Sequence, residues 1–282
     1  RVLWTYWDQG ADRMPAFNKL CVETWRATNP DWTVRVVDQV ELMKYVGPED
    51  LPSTFKSLKL RQHRADCAKI ALLLRHGGIY MDSSVMVWQD LAEVVGWDDV
   101  QAGKHDFAGY HLHTTEFVEN YFLAGRQGCP LVVAWHQMHL RYWETRTSMT
   151  EIDKDPFFGG VNLSHIPRCE RTYLAQHACY KKLFDLDVDG FREHARRARI
   201  MDAAAPSGAL WLFRRLSQDA EARVRRSKAA LAVRRVRWPA APKLAALPGA
   251  RQPPKPLGQA ARGRLGPSQG WLPPPPPPRV PD

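Results

Sequence analysis

A chain of 282 residues, 44% hydrophobic and 25% charged, has an ordinary globular composition and suits one large domain or two small ones. No apolar run approaches the roughly 20 residues that a membrane-spanning helix needs. The formal net charge of +10 is lopsided: from Phe191 onward 19 Lys/Arg face 5 Asp/Glu, which leaves residues 1–190 net acidic. The basic character belongs to the tail and says little about what the folded part binds.

Arg1 stands where a Met would open a complete chain, and leaves room for a signal peptide or membrane anchor upstream. The five cysteines show no CxxC spacing, so neither a zinc site nor a dithiol redox motif is indicated.

In chain order, residues 2–7 are apolar and aromatic and predict a buried strand, ended by the turn residues Asp8 to Gly10. Pro15 opens a helix to Thr28, with Phe17, Leu20, Cys21, Thr24 and Trp25 on one face. Asn29-Pro30 ends it, and residues 32–37 alternate as a second strand. The stretch 62–76 predicts the clearest helix, stopped by Gly77-Gly78. Residues 79–88 follow as a third strand, 106–110 and 117–123 as further strands, and 129–146 as an amphipathic helix. Alternating strands and helices with short links predict a mainly parallel sheet flanked by helices.

Beyond Trp238 the chain holds 14 of its 22 prolines, a composition that predicts disorder over 239–282. Residues 191–238 read as a basic, helical extension, with the helix itself over about 207–237. Aromatics are not interleaved with these basic residues, so no nucleic-acid partner is expected. Trp25, Trp32, Trp88 and Trp135 read as packing residues rather than sugar platforms.

Ligands of an open parallel sheet gather at the carboxyl ends of its strands. Asp82 and Ser84, two apart in the predicted third strand, would face one ligand together. A carboxylate with a hydroxyl is a partial oxygen site for Mg²⁺ or Mn²⁺, which accept few protein ligands when phosphates supply the rest. Asp66 and Lys69 share a helix face one turn apart. They read either as a grip on sugar hydroxyls and diphosphate or as a surface ion pair.

The stretch RADCAKIALLLRHGGIYMDSSVMV resembles the donor-binding signature of glycosyltransferase family 32 and the related capsular polysaccharide synthesis proteins. LWTYWDQG is similar to the opening motif of the latter group, and NYFLAGRQGCPLV, HLRYW and YLAQH are weaker echoes. The resemblance covers about residues 2–185. It implies a GT-A-like domain over 1–190 that transfers a sugar from a UDP- or GDP-sugar to a glycan hydroxyl, with retention.

Residue by residue, the resemblance implies that Trp4 and Trp7 lie near the nucleobase, with Gln9 in the loop beneath. Asp66 and Asp82 are the catalytic candidates, Asp66 on the donor sugar and Asp82, with Ser84, on metal and diphosphate. Lys69, Gly78, Tyr80 and His177 complete the expected donor site. Lys69 and Ser84 replace the family's usual Arg and second Asp. Only Arg makes a bidentate fork, so a non-catalytic nucleotide-sugar- or glycan-binding relative is the alternative reading.

Overall fold

The computed structural model describes residues 1–111, 117–164, 166 and 168–203. The helix expected near 207–237 and the Pro-rich tail lie outside them. The described elements are β1 (Val2–Tyr6), α1 (Ala16–Thr28), β2 (Thr33–Val37), α2 (Gln39–Leu42), α3 (Arg61–His76), β3 (Gly78–Met81), α4 (Leu91–Val95), α5 (Trp97–Gln101), β4 (Phe107–His111), β5 (Val118–Gly125), α6 (Pro130–Trp143), α7 (Ala175–Asp185), α8 (Phe191–Arg196) and β6 (Arg199–Asp202). Among the described residues no helix is long and apolar enough to cross a membrane.

The sheet order is β2-β1-β3-β5-β4-β6. Pairing is parallel for β1 with β2, β1 with β3 and β4 with β6, and antiparallel where β5 meets β3 and β4. The expected mainly parallel α/β sheet is therefore present, with β5 running against it.

Alternation along β1 divides the core. Trp4, Tyr6 and Tyr80 pack with Leu72, Trp135 and Trp143 of α3 and α6. Leu3, Ile79 and Met81 face Trp25, Leu91 and Trp97 of α1, α4 and α5. Helices thus cover both faces, as buried strands require. Trp25, Trp32 and Trp135 are core residues, whereas Trp88 is 42% exposed.

Three expectations need correction. The third strand ends at Met81 rather than 88. Asp82 instead opens a turn closed by the Val85 N–H on its carbonyl (2.9 Å). Asp82 and Ser84 are consequently not neighbours on a strand face.

The cause is α1, whose polar side chains replace a strand partner for the segment that follows. Asn18 donates to Ser83 Oγ, Cys21 to the Ser84 carbonyl, Trp25 Nε1 to the Val85 carbonyl (2.6 Å), and Thr28 to the Val87 carbonyl. This orientation also turns the helix from its predicted stripe. Cys21, Val22 and Trp25 are buried, while Phe17 and Leu20 stand exposed.

The third correction is the domain boundary at 190. The basic run from Phe191 supplies α8 and then β6, which pairs with β4 as an edge strand. Fully buried Asp106 holds Arg126 and Arg197, both at 3.3 Å, and so anchors charged residues to the domain.

Gly77 and Gly78 adopt positive φ values of 61° and 98°. A Cβ on Gly78 would come within 2.5 Å of the Val2 carbonyl, so the tight crossing from α3 into β3 needs glycine.

Trp25→Phe keeps an aromatic ring, though a smaller one, and deletes the N–H that holds Val85. The expected cost is about 1–3 kcal/mol, seen as a lower urea midpoint at unchanged m.

Candidate donor site

Asp66 and Lys69 come from the middle of α3 and face the sheet, not solvent. Lys69 Nζ lies 3.1 Å from Asp66 Oδ1 and 3.3 Å from Asp82 Oδ1, and its ammonium sits 5.1 Å from the Tyr80 ring centroid. The Lys69 side chain is 1% exposed and that of Asp66 8%, against 38% for Asp82. The surface-pair reading of Asp66 and Lys69 therefore fails; the pair is buried, and Asp82 is its door to solvent.

Electrostatics follow from this burial. Desolvation works against the Lys69 charge, but Asp82 and Asp66 outweigh it and hold the ammonium above its ordinary pKa. Burial pushes Asp66 up to about 6, with Lys69 opposing and Asp82 adding to the rise. Two carboxylates share one ammonium, which leaves negative charge at the half-exposed Asp82.

That balance bears on a metal. Among the described residues no group of three or more His, Cys, Asp or Glu is placed to hold one. A hard cation that takes its other oxygens from a diphosphate and water needs only one or two protein carboxylates. Asp82, with uncompensated charge and partial exposure, fits that limited role, and Ser84 is half-exposed nearby in sequence.

A second ionic cluster closes the carboxyl end of β1. Arg64 forks onto Asp8, Nε to Oδ1 and Nη2 to Oδ2, both at 2.8 Å. Asp8 also accepts from Tyr6 Oη (2.8 Å) and Gln39 Nε2 (2.9 Å). The Arg64 hydrogen bonds hold the Asp8 carboxyl well below the usual range despite its partial burial. Tyr80 Oη accepts the Tyr6 N–H at 3.2 Å and so joins this cluster to Lys69.

Other predicted residues are distributed differently. Trp4 is buried, donates Nε1 to the Gly77 carbonyl (3.0 Å) and packs on Tyr45 and His76. It and Gly78 thus stand at the amino end of β3, away from Asp82. Trp7 is half-buried just beyond β1, and its buried indole N–H has no described partner. Gln9 is exposed in the turn that the Gly10 N–H closes on the Trp7 carbonyl. His177 is buried on α7 with its ring edge-on to Phe117, centroids 4.8 Å apart. A cavity of about 510 Å³ lined by Asp50, Arg75, Gln127 and His136 lies at the far end of α3 and holds none of these residues.

Sequence reasoning missed five residues around the site: Asp8, Arg64, Asn120, Gln176 and Tyr173. Asn120 Nδ2 donates to Asp66 Oδ1 (3.0 Å) and Gln176 Oε1 (2.9 Å). Tyr173 is 40% exposed, and its phenol is raised by desolvation and then by the negative charges of Asp66 and Asp82. Signals existed in WDQG, NYFLAG and YLAQH, but none marks one residue of its segment for chemistry.

The family model of capsular polysaccharide synthesis proteins matches residues 1–152. The chain is 26% identical over 215 residues to Glycosyltransferase afumC of Aspergillus fumigatus, across 65% of this chain and 54% of that protein. It is 29% identical over 172 residues to Probable glycosyltransferase FCK3 of Fusarium pseudograminearum (56% and 43%). It is 28% identical over 180 residues to O-glycosyltransferase PaGT of Phomopsis amygdali (58% and 43%). The chain spans about half the length of these curated relatives. Among solved structures, PaToxG Glycosyltransferase aligns with a TM-score of 0.40 and 11% identity over 70% of this chain and 75% of that one. The matched segment exceeds half of the chain and contains Asp66, Lys69, Asp82 and Asn120 together; the chain belongs to the capsular polysaccharide synthesis protein family.

Proposed function

We propose that this chain is a glycosyltransferase that moves a sugar from a UDP- or GDP-sugar to a hydroxyl of a glycan acceptor, with retention at the anomeric carbon. One observation carries the reading: a lysine buried between two carboxylates, in the segment that resembles the donor-binding signature. A buried charge triad costs desolvation energy and is a weak source of stability. Its place at the end of a central strand, with one carboxylate open to solvent, instead suits a ligand that carries both hydroxyls and charge.

In this mechanism Asp66 orients the donor sugar. Its Oδ1 is held by Lys69 and Asn120, and in this reading Oδ2 accepts the sugar hydroxyls. Lys69, fixed by two carboxylates, presents positive charge where the diphosphate gains negative charge as it departs. Asp82 and Ser84 would hold Mg²⁺ or Mn²⁺, whose contribution is to neutralise the leaving diphosphate.

Two outcomes test the proposal. Calorimetry with UDP- and GDP-sugars should show Mn²⁺-dependent binding that Asp82→Ala loses, and slow release of free nucleotide should accompany it in the unaltered protein. Unchanged binding in Asp82→Ala would sink the site, while binding with no nucleotide release across a broad acceptor panel would identify a non-catalytic relative.

The second outcome is pH dependence. Asp66 grips the sugar as a carboxylate, and its proton leaves at about 6. Donor affinity should be level above about pH 7 and weaken toward tenfold per unit below 6, whereas Asp66→Asn should bind weakly with no such slope. A level profile for the unaltered protein from pH 5 to 8 would remove Asp66 from the sugar.

A further inference from the structure

The pairing of β4 with β5 breaks at one point. Gly109 pairs with Leu123, but the next residue, Tyr110, pairs with Glu119. The register shift between Gly109 and Tyr110 thus falls opposite residues 120–122 of β5. Bulges of this kind bend a strand and redirect its side chains, and they recur beside functional sites.

This one irregularity reaches both acidic residues of the site, Asp82 through its backbone and Asp66 through its carboxylate. The Tyr121 carbonyl accepts the Asp82 N–H at 2.9 Å, at the point where β3 ends. One residue earlier, the Asn120 amide gives one N–H to Asp66 Oδ1 and the other to Gln176 Oε1. Gln176 is fully buried on α7, and its own carbonyl holds Trp135 Nε1 at 2.8 Å. A chain of contacts thus runs from the sheet through Asp66 to the helical layer.

We propose that Asn120, set in place by the β5 bulge, is a positioning residue for the donor sugar: it fixes the Asp66 carboxylate through Oδ1, leaves Oδ2 for the sugar hydroxyls and ties Asp66 to α7 through Gln176. This rests on the donor reading above and deepens it.

The chemistry calls for this side chain. A carboxylate held by Lys69 alone could turn about its own axis, whereas two donors on Oδ1 from different elements stop that rotation. Aspartate at 120 would place a third negative charge against Asp66 and present no N–H. An aliphatic residue would leave the Asp66 and Gln176 oxygens without that donor, a cost borne in full by buried groups.

The test compares two ligands in one calorimetric series: free UDP and GDP, which lack the sugar, and a panel of UDP- and GDP-hexoses. Asn120→Ala and the isosteric Asn120→Asp are measured beside the unaltered protein, with thermal midpoints to establish folding. Both variants should bind free nucleotide normally and nucleotide-sugar about tenfold or more weakly, with Asn120→Asp the weaker. If Asn120→Ala does not fold, the isosteric variant decides the matter. A folded variant with unchanged nucleotide-sugar affinity, or with equal losses for free nucleotide and nucleotide-sugar, would overturn the role. An unaltered protein that binds free nucleotide but gains nothing from the sugar would also overturn it. Failure of the unaltered protein to bind either ligand would instead bring down the donor reading itself, and the positioning role with it.

Discussion

A positive charge enclosed between two negative ones organises the centre of this molecule. Lys69 is nearly inaccessible, and an ammonium removed from water is tolerated only with close counter-charges. Asp66 supplies one from the same helix, three residues away, where helical geometry guarantees proximity. Asp82 supplies the other from the turn that follows β3, beyond the Gly77-Gly78 crossing. The length of α3, the glycine crossing and the early end of β3 all serve this encounter. A longer or shorter link between α3 and β3 would present a different residue to Lys69.

Support for the triad comes from two layers that use different physics. On one side α1 meets the segment after Asp82 with side-chain hydrogen bonds, and Trp25 locks it through a fully buried indole. Backbone pairing would have carried residues 83–88 on as a strand within the sheet, with alternating faces. Side-chain capture instead lets the chain turn at Asp82 and leaves that carboxylate half-open. On the other side the β5 bulge and α7 meet Asp66. The Asp8–Arg64 fork secures the end of β1 and, through Tyr6 and Tyr80, backs the Lys69 ammonium.

Much of this was legible in the amino-acid order. The period of residues 62–76 and the glycines after it marked α3 within one residue at its start, because an apolar face and a glycine stop are local signals. Asp66, Lys69 and Asp82 were singled out by the resemblance of their segment to a donor-binding signature, and the fold brings the three together. What escaped has a common physical origin. The strand-like alternation of 82–88 is real, since Ser83, Val85 and Val87 are buried and their neighbours are not, but its partner is a helix. Asn120 lies in an extended, half-apolar stretch whose register no local pattern reveals. Asp8 resembled a simple turn residue, and its guanidinium partner lies 56 residues away. The boundary at 190 fell short because a run of charge looks solvated unless its buried counter-ion, Asp106, is known.

The Asn120 amide joins residues 54 and 56 positions apart on either side of it. Such distant contacts are gained only after the intervening loops have closed, whereas the Asp66–Lys69 pair belongs to one helical turn and needs no closure at all. The helix can carry its ion pair in water at little cost while the rest of the chain is still arranging itself. Desolvation of that pair is deferred until β5 and α7 arrive together. Assembly of the domain and burial of the Asp66 carboxylate are then the same late event, so a partly folded chain presents no half-built triad.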